Sequence, residues 1–127
     1  MFKTLKRKLE NFSKTWGNDH IELWVDRHPP PEDKSDWVWA SNYKEAQKYL
    51  YNYIVDKASI AYDLEGGNGY WVCLYLIDNP FVLPVYCRIH GTSGERREHM
   101  TLALNAAKKR LWGDGSLSYK YNLYRCI

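Results

Sequence analysis

The residues with most to offer chemically lie between Ile89 and Met100. An apolar run ends at His90, a Gly91-Thr92-Ser93-Gly94 turn follows, and a helical pattern carrying Arg96 and Arg97 begins beyond it. An imidazole can move protons near neutral pH. The unpaired N–H groups at a helix start, with the hydroxyls of Thr92 and Ser93, favour an anion. A guanidinium from Arg96 or Arg97 can grip phosphate oxygens with its planar fork. Together these groups suit phosphoester chemistry, in which a base moves a proton while fixed positive charge stabilises the developing anion. The competing reading is structural, with the arginines solvated or paired with Glu95 and Glu98.

Two further apolar segments end in a carboxylate. Ile21 to Asp26 reads IELWVD and Ala58 to Asp63 reads ASIAYD. In an open parallel sheet, ligands bind outside the carboxyl ends of the strands. If these segments are parallel strands, Asp26, Asp63 and His90 share one rim. The glycine-rich run Glu65 to Gly69 also joins a strand to a helix. It matches neither common nucleotide-binding fingerprint, so a tight connection is the expected role.

The elements that must position these groups follow from periodicity. Strands are expected at Ile21–Asp26, Trp37–Ala40, Ala58–Asp63 and Phe81–His90, with Pro84 marking an edge or a bulge. Ser41 is the expected N-cap of a helix to about Lys57 with Tyr43, Ala46, Leu50, Tyr53 and Ile54 inward. An apolar helix is expected over Tyr70–Ile77. A long one runs from Gly94 to Trp112, with Met100, Ala103, Leu104, Ala107 and Leu111 on one face and Gly113 after it. Strands alternating with helices predict a small doubly wound, receiver-like α/β fold with a largely parallel sheet covered on both faces.

Phe2, Leu5, Leu9, Phe12 and Trp16 recur at steps of three and four, which predicts a basic amphipathic helix over residues 1–19. Such a helix docks on its own domain, on a membrane surface or on a protein partner. The main domain is expected at 20–113, with a C-terminal segment, and a final strand within it, at 114–127. The chain has 127 residues and a net charge of +3, too small to imply nucleic-acid binding by itself. Its eleven tyrosines and six tryptophans can stack on bases, but are first expected to pack the core and its rim. Three widely spaced cysteines show no paired metal-ligand spacing and fit a reducing compartment. No apolar run reaches membrane-spanning length and no secretory signal is evident, so a cytoplasmic location is expected.

The order of short motifs resembles a receiver-like family of cyclic-phosphate processing domains, from Ile21 to about Lys109. Leu23-Trp24-Val25-Asp26 precedes prolines, Trp37-Val38-Trp39-Ala40 precedes Tyr43-Lys44-Glu45-Ala46, and Tyr62-Asp63-Leu64 precedes Gly69-Tyr70. Most specific is Ile89-His90 with Arg97-Glu98 and Met100 downstream. The resemblance implies action on cyclic phosphate ends or linked nucleotides. The chain departs from the family pattern in three places. Asp26 is followed by Arg27 and His28 where an acidic pair is usual. Ala61-Tyr62-Asp63-Leu64 stands where Asp-His-Asp-Leu is usual, and Ser93 replaces an asparagine.

The leading functional expectation is a phosphoesterase-like domain for a cyclic or terminal phosphate of RNA or a nucleotide. His90 would be the acid or base and Arg97 the phosphate clamp, while Asp26 and Asp63 would orient the histidine or hold Mg²⁺. The missing carboxylate weakens the case for the metal, which needs hard oxygen ligands. Tyr62, His28 or His99 would substitute for the missing histidine. The alternatives are an inactive domain that binds a nucleotide or RNA end, and a protein-interaction module working through residues 1–19. A phosphoreceiver is disfavoured, because the surroundings of Asp63 lack the acidic cluster and lysine that such chemistry requires.

Overall fold

The computed structural model describes residues 20–31 and 36–113. Four strands, β1 (His20–Val25), β2 (Trp37–Ala40), β3 (Ile54–Ile60) and β4 (Tyr86–Ile89), alternate with helices α1 (Tyr43–Asn52), α2 (Gly69–Asp78) and α3 (Gly94–Gly113). All neighbouring strands are parallel, in the order β2-β1-β3-β4. The chain therefore leaves β1 for one side of the sheet and returns over it to the other. The carboxyl ends of β1 and β3 flank that reversal, where open α/β sheets take ligands.

Alternation along each strand decides what lies on each face. Ile21, Leu23 and Val25 of β1, Val38 and Ala40 of β2, Val55, Ala58 and Ile60 of β3, and Cys87 and Ile89 of β4 join one buried core. The inward faces of all three helices contribute to the same core, among them Ala46, Leu50, Val72, Leu76, Met100 and Leu104. The opposite face carries the intervening residues, including Trp24, Trp37, Trp39, Ser59 and Arg88. Among the described residues, then, helices cover one face and not both. Residues 26–31 of the β1–β2 connection hold no helix, and Pro29 to Pro31 lack the N–H groups that one would need.

Three of the boundaries that differ from expectation have a local reason. Helix α1 is capped by Asn42, whose side chain accepts from the Glu45 N–H at 2.9 Å. The Glu45 carboxylate reaches back to the Ser41 N–H and hydroxyl at 2.9 and 3.0 Å, a reciprocal cap that places Ser41 one residue before the turn. The helix stops at Asn52 and not near Lys57, because β-branched Ile54 and Val55 pair with His20 and Ile21 in the sheet. Ile54 is consequently 53% exposed at the strand's start and does not face inward. The fourth strand begins at Tyr86: Pro80 opens a short 3₁₀ turn to Val82 and Pro84 cannot donate to a ladder.

The glycine-rich run makes the tight connection that its spacing suggested. Gly67 lies at φ +75°. A Cβ on Gly69 would fall 2.0 Å from the Ala61 carbonyl oxygen and 2.8 Å from the Met100 methyl. Only glycine lets α2 start that close to the end of β3, where the Gly69 N–H donates to the Tyr62 carbonyl at 2.8 Å. Met100, the last residue of the most specific motif, is fully buried, so its part is packing.

No described helix is long and apolar enough to cross a membrane. The expected helix over 1–19 and the expected strand within 114–127 lie outside the described residues, as does any protein partner held through 1–19.

Candidate functional site

Asp26 is the first residue past β1, and its position is fixed from all sides. Its N–H donates to the Ala40 carbonyl at 3.1 Å and its own carbonyl accepts from the Trp39 indole at 2.7 Å. Carboxylate Oδ1 accepts from the His28 backbone N–H at 3.0 Å. Oδ2 lies 2.7 Å from Nε2 of His90, the first residue past β4. The turn is held further by the Trp24 indole, which donates to the His28 carbonyl at 3.1 Å. Two residues remote in sequence are thus brought together because β1 and β4 both end beside β3.

The imidazole of His90 is enclosed. Trp24 stacks on it with ring centroids 4.0 Å apart and planes 18° from parallel. Nδ1 lies 2.7 Å from the hydroxyl of Ser59, which accepts a second contact from Nε of Arg88 at 3.0 Å. Burial pushes the His90 pKa below the ordinary histidine value; the hydrogen bond and charge of Asp26 oppose this, and the Arg88 charge reinforces it.

Asp63 stands elsewhere on the rim. The third strand ends at Ile60, so Asp63 belongs to the following loop, bridged to Asn68. Its side chain is 70% exposed and faces Arg96 at 3.9 Å. Arg96 also covers the Tyr62 ring, its guanidinium carbon 4.4 Å from the ring centre. The two parts of the rim meet through backbone, where the Arg27 N–H donates to the Asp63 carbonyl at 3.3 Å.

The Gly91–Gly94 turn joins β4 to α3, and the side chains of Thr92 and Arg97 make internal contacts. Gly91 and Gly94 lie at φ +61° and +66°, and a Cβ at either would meet open space, so conformation alone calls for glycine. Thr92 accepts from the Tyr62 N–H at 3.2 Å, which ties the β3 and β4 loops together, and Ser93 is exposed. Arg97 donates from Nη1 to the Ile89 carbonyl at 2.9 Å, clamping its own helix to β4. His99 lies beside Tyr70, ring centres 6.4 Å apart, and His28 serves Asp26 through its backbone.

Sequence reasoning missed Trp24, Ser59 and Arg88. They are register partners across β1, β3 and β4, so they form one row under His90. Arg88 did leave a signal, since it stands two residues before His90 and so shares its face. Ser59 left a weaker one as the one polar side chain between Ala58 and Ala61. The alignment of Trp24 with Ser59 depends on the register shift between Ile21 and Glu22, which no spacing in the sequence announces.

A hard divalent cation needs several convergent oxygens. Here both oxygens of Asp26 accept from N–H groups and the Asp63 carboxylate faces a guanidinium. Among the described residues no group of three His, Cys, Asp or Glu could hold a metal ion. The donor set does not fit Mg²⁺.

A four-stranded parallel sheet flanked by helices, with its polar groups gathered at the carboxyl ends of the strands, defines an α/β domain of receiver-like build. Residues 21–106 match the cyclic-phosphate processing receiver domain, and the chain belongs to that family. No curated protein and no solved structure matches it.

Proposed function

We propose that the rim takes a cyclic or terminal phosphate of RNA or of a nucleotide, and that the Asp26–His90 pair moves a proton during its hydrolysis. The observation that carries this reading is the 2.7 Å contact between the two side chains at the reversal point of the sheet. With 14% and 17% of their side chains exposed, both stay within reach of a ligand while held in place. Arg96, with the Thr92 and Ser93 hydroxyls and the start of α3, supplies the anion site. Arg97 anchors the turn that carries them. Asp63 orients Arg96, which would leave it for a phosphate at little cost, because an exposed ion pair contributes only about 0–1 kcal/mol. Tyr62 supports Arg96 from beneath.

The test is hydrolysis of a 2′,3′-cyclic nucleotide and of an oligoribonucleotide ending in a cyclic phosphate. His90→Ala and Asp26→Asn should each abolish turnover while leaving the circular dichroism spectrum unchanged. Turnover at the wild-type rate by both variants would overturn the assignment. One observation favours a second reading, binding without turnover: both ring nitrogens of His90 already have partners within the protein. Calorimetric binding of cyclic mono- or dinucleotides with no product formed would establish that reading instead.

A further inference from the structure

The row beneath His90 has a direction. An arginine only donates, so Nε–H of Arg88 points at the Ser59 oxygen. A carboxylate only accepts, so the Asp26 contact requires a proton on Nε2 of His90. Nδ1 of a neutral ring then accepts the Ser59 hydroxyl proton at 2.7 Å. Every donor in this chain of four meets one acceptor. Protonating Nδ1 would reverse one link: Ser59, fully buried, would accept from two positive groups and have to turn its own proton elsewhere.

We propose that Ser59 and Arg88 are positioning residues that hold His90 as a neutral imidazole with its N–H committed to Asp26, leaving the Asp26 carboxylate as the proton acceptor of the pair. The arrangement contains a serine, a histidine and an aspartate in one hydrogen-bonded line. Ser59 is nevertheless no nucleophile, because it is fully buried and its oxygen is occupied by Arg88. The groups facing the ring are Trp24 and Asp26 from β1 and its following loop, Ser59 from β3, and Arg88 on its own strand. Asp26 is the one anion among them and Arg88 the one cation. Burial and the Arg88 charge, which lower the ring's proton affinity, act in the same sense as the hydrogen-bond direction. This inference deepens the proposed function, since it says which member of the pair meets water or a substrate hydroxyl.

Long-range proton–nitrogen correlation spectra of the histidine rings in the full-length protein, without substrate, test it directly. The wild-type ring of His90 should show a protonated Nε2 and a bare Nδ1 at neutral pH. Arg88→Met should raise the ring's proton affinity about tenfold, a shift of roughly one pH unit in its titration. Arg88→Lys, which keeps the charge without the fixed fork, should recover part of that shift. Lys57→Met removes a positive charge from the same sheet face, where Lys57 faces Glu22 at 3.7 Å, and should leave the ring unchanged. A doubly protonated wild-type ring at neutral pH, or identical titrations for the wild type and Arg88→Met, would overturn the proposal. The signature is read on the free protein, so failure to hydrolyse any phosphate would count against the proposed function alone.

Discussion

At one end of the rim Asp26 and His90 stand 2.7 Å apart with 14% and 17% of their side chains exposed; at the other, Asp63 and Arg96 stand 3.9 Å apart with 70% and 62% exposed. The first pair is set by three strands and a stacked indole, so its geometry exists before any ligand arrives. The second joins a loop residue to the first turn of α3, and its exposed side chains remain able to exchange partners. The proposed phosphoester chemistry would ask for that division, preorganisation for proton transfer and adaptability for gripping an anion. The same contrast predicts that substitutions at the two ends act on different observables.

The largest effect is expected beneath the exposed end. Gly69→Ala drives a methyl into the Ala61 carbonyl and the Met100 side chain, so α2 must move from the end of β3. A loss of about 3 kcal/mol or more, at the upper end for overpacking, should appear in the urea midpoint. Gly91→Ala, which meets open space but must adopt φ +61°, should lose about 1–2 kcal/mol. Equal losses would show that the exposed side chains do not rest on a rigid base.

At the preorganised end, Asp26→Ala strands the part-buried Nε2–H of His90 and leaves the exposed backbone N–H of His28 to water. A destabilisation of about 2–3 kcal/mol is expected from losing hydrogen bonds to a charged acceptor in a part-buried site. The comparison fails if chemical denaturation shows Asp26→Ala to be as mild as Asp63→Ala, for which a change within about 0.5 kcal/mol is expected.

The same pair sets a pH response. His90 has a folded pKa below its ordinary value of 6.5, so the folded state resists a proton that the unfolded chain accepts. Its contribution to stability is full above that value and is lost as pH falls through the lowered folded one. Stability should therefore decline between neutral and mildly acidic pH, and His90→Asn should flatten that part of the curve. An unchanged slope in the variant would place the titration in another group.

Much of this was legible in the sequence, and what escaped has a physical cause. Period-two alternation marked the strands, and the family motifs ordered them. Asp26 and His90 were readable because each is the ionisable residue at which a largely apolar strand pattern ends. Asp63 looked equivalent, yet β3 ends three residues earlier, where Ala61 donates to the Val25 carbonyl and the chain turns away. Whether a strand-terminal carboxylate faces a histidine depends on where the ladder stops, a property of pairing and not of composition. Ser59 escaped for the related reason that cross-strand register is a long-range fact.

Arg96→Ala tests the adaptable end with the smallest structural disturbance. The side chain contributes one long ion pair and one cation–π contact, both exposed, so thermal stability should change by less than about 1 kcal/mol. Binding of a cyclic nucleotide should nevertheless weaken about tenfold or more, the loss of one charge-assisted contact to an anion. Asp63→Asn works in the opposite direction: removing the anion that holds Arg96 frees the guanidinium and should tighten phosphate binding severalfold. If Asp63→Asn weakens binding as Arg96→Ala does, the two residues hold the ligand jointly, and the exposed end is as preorganised as the buried one. If Asp63→Asn tightens binding, the carboxylate is the ligand's competitor, and the rim divides as its geometry indicates.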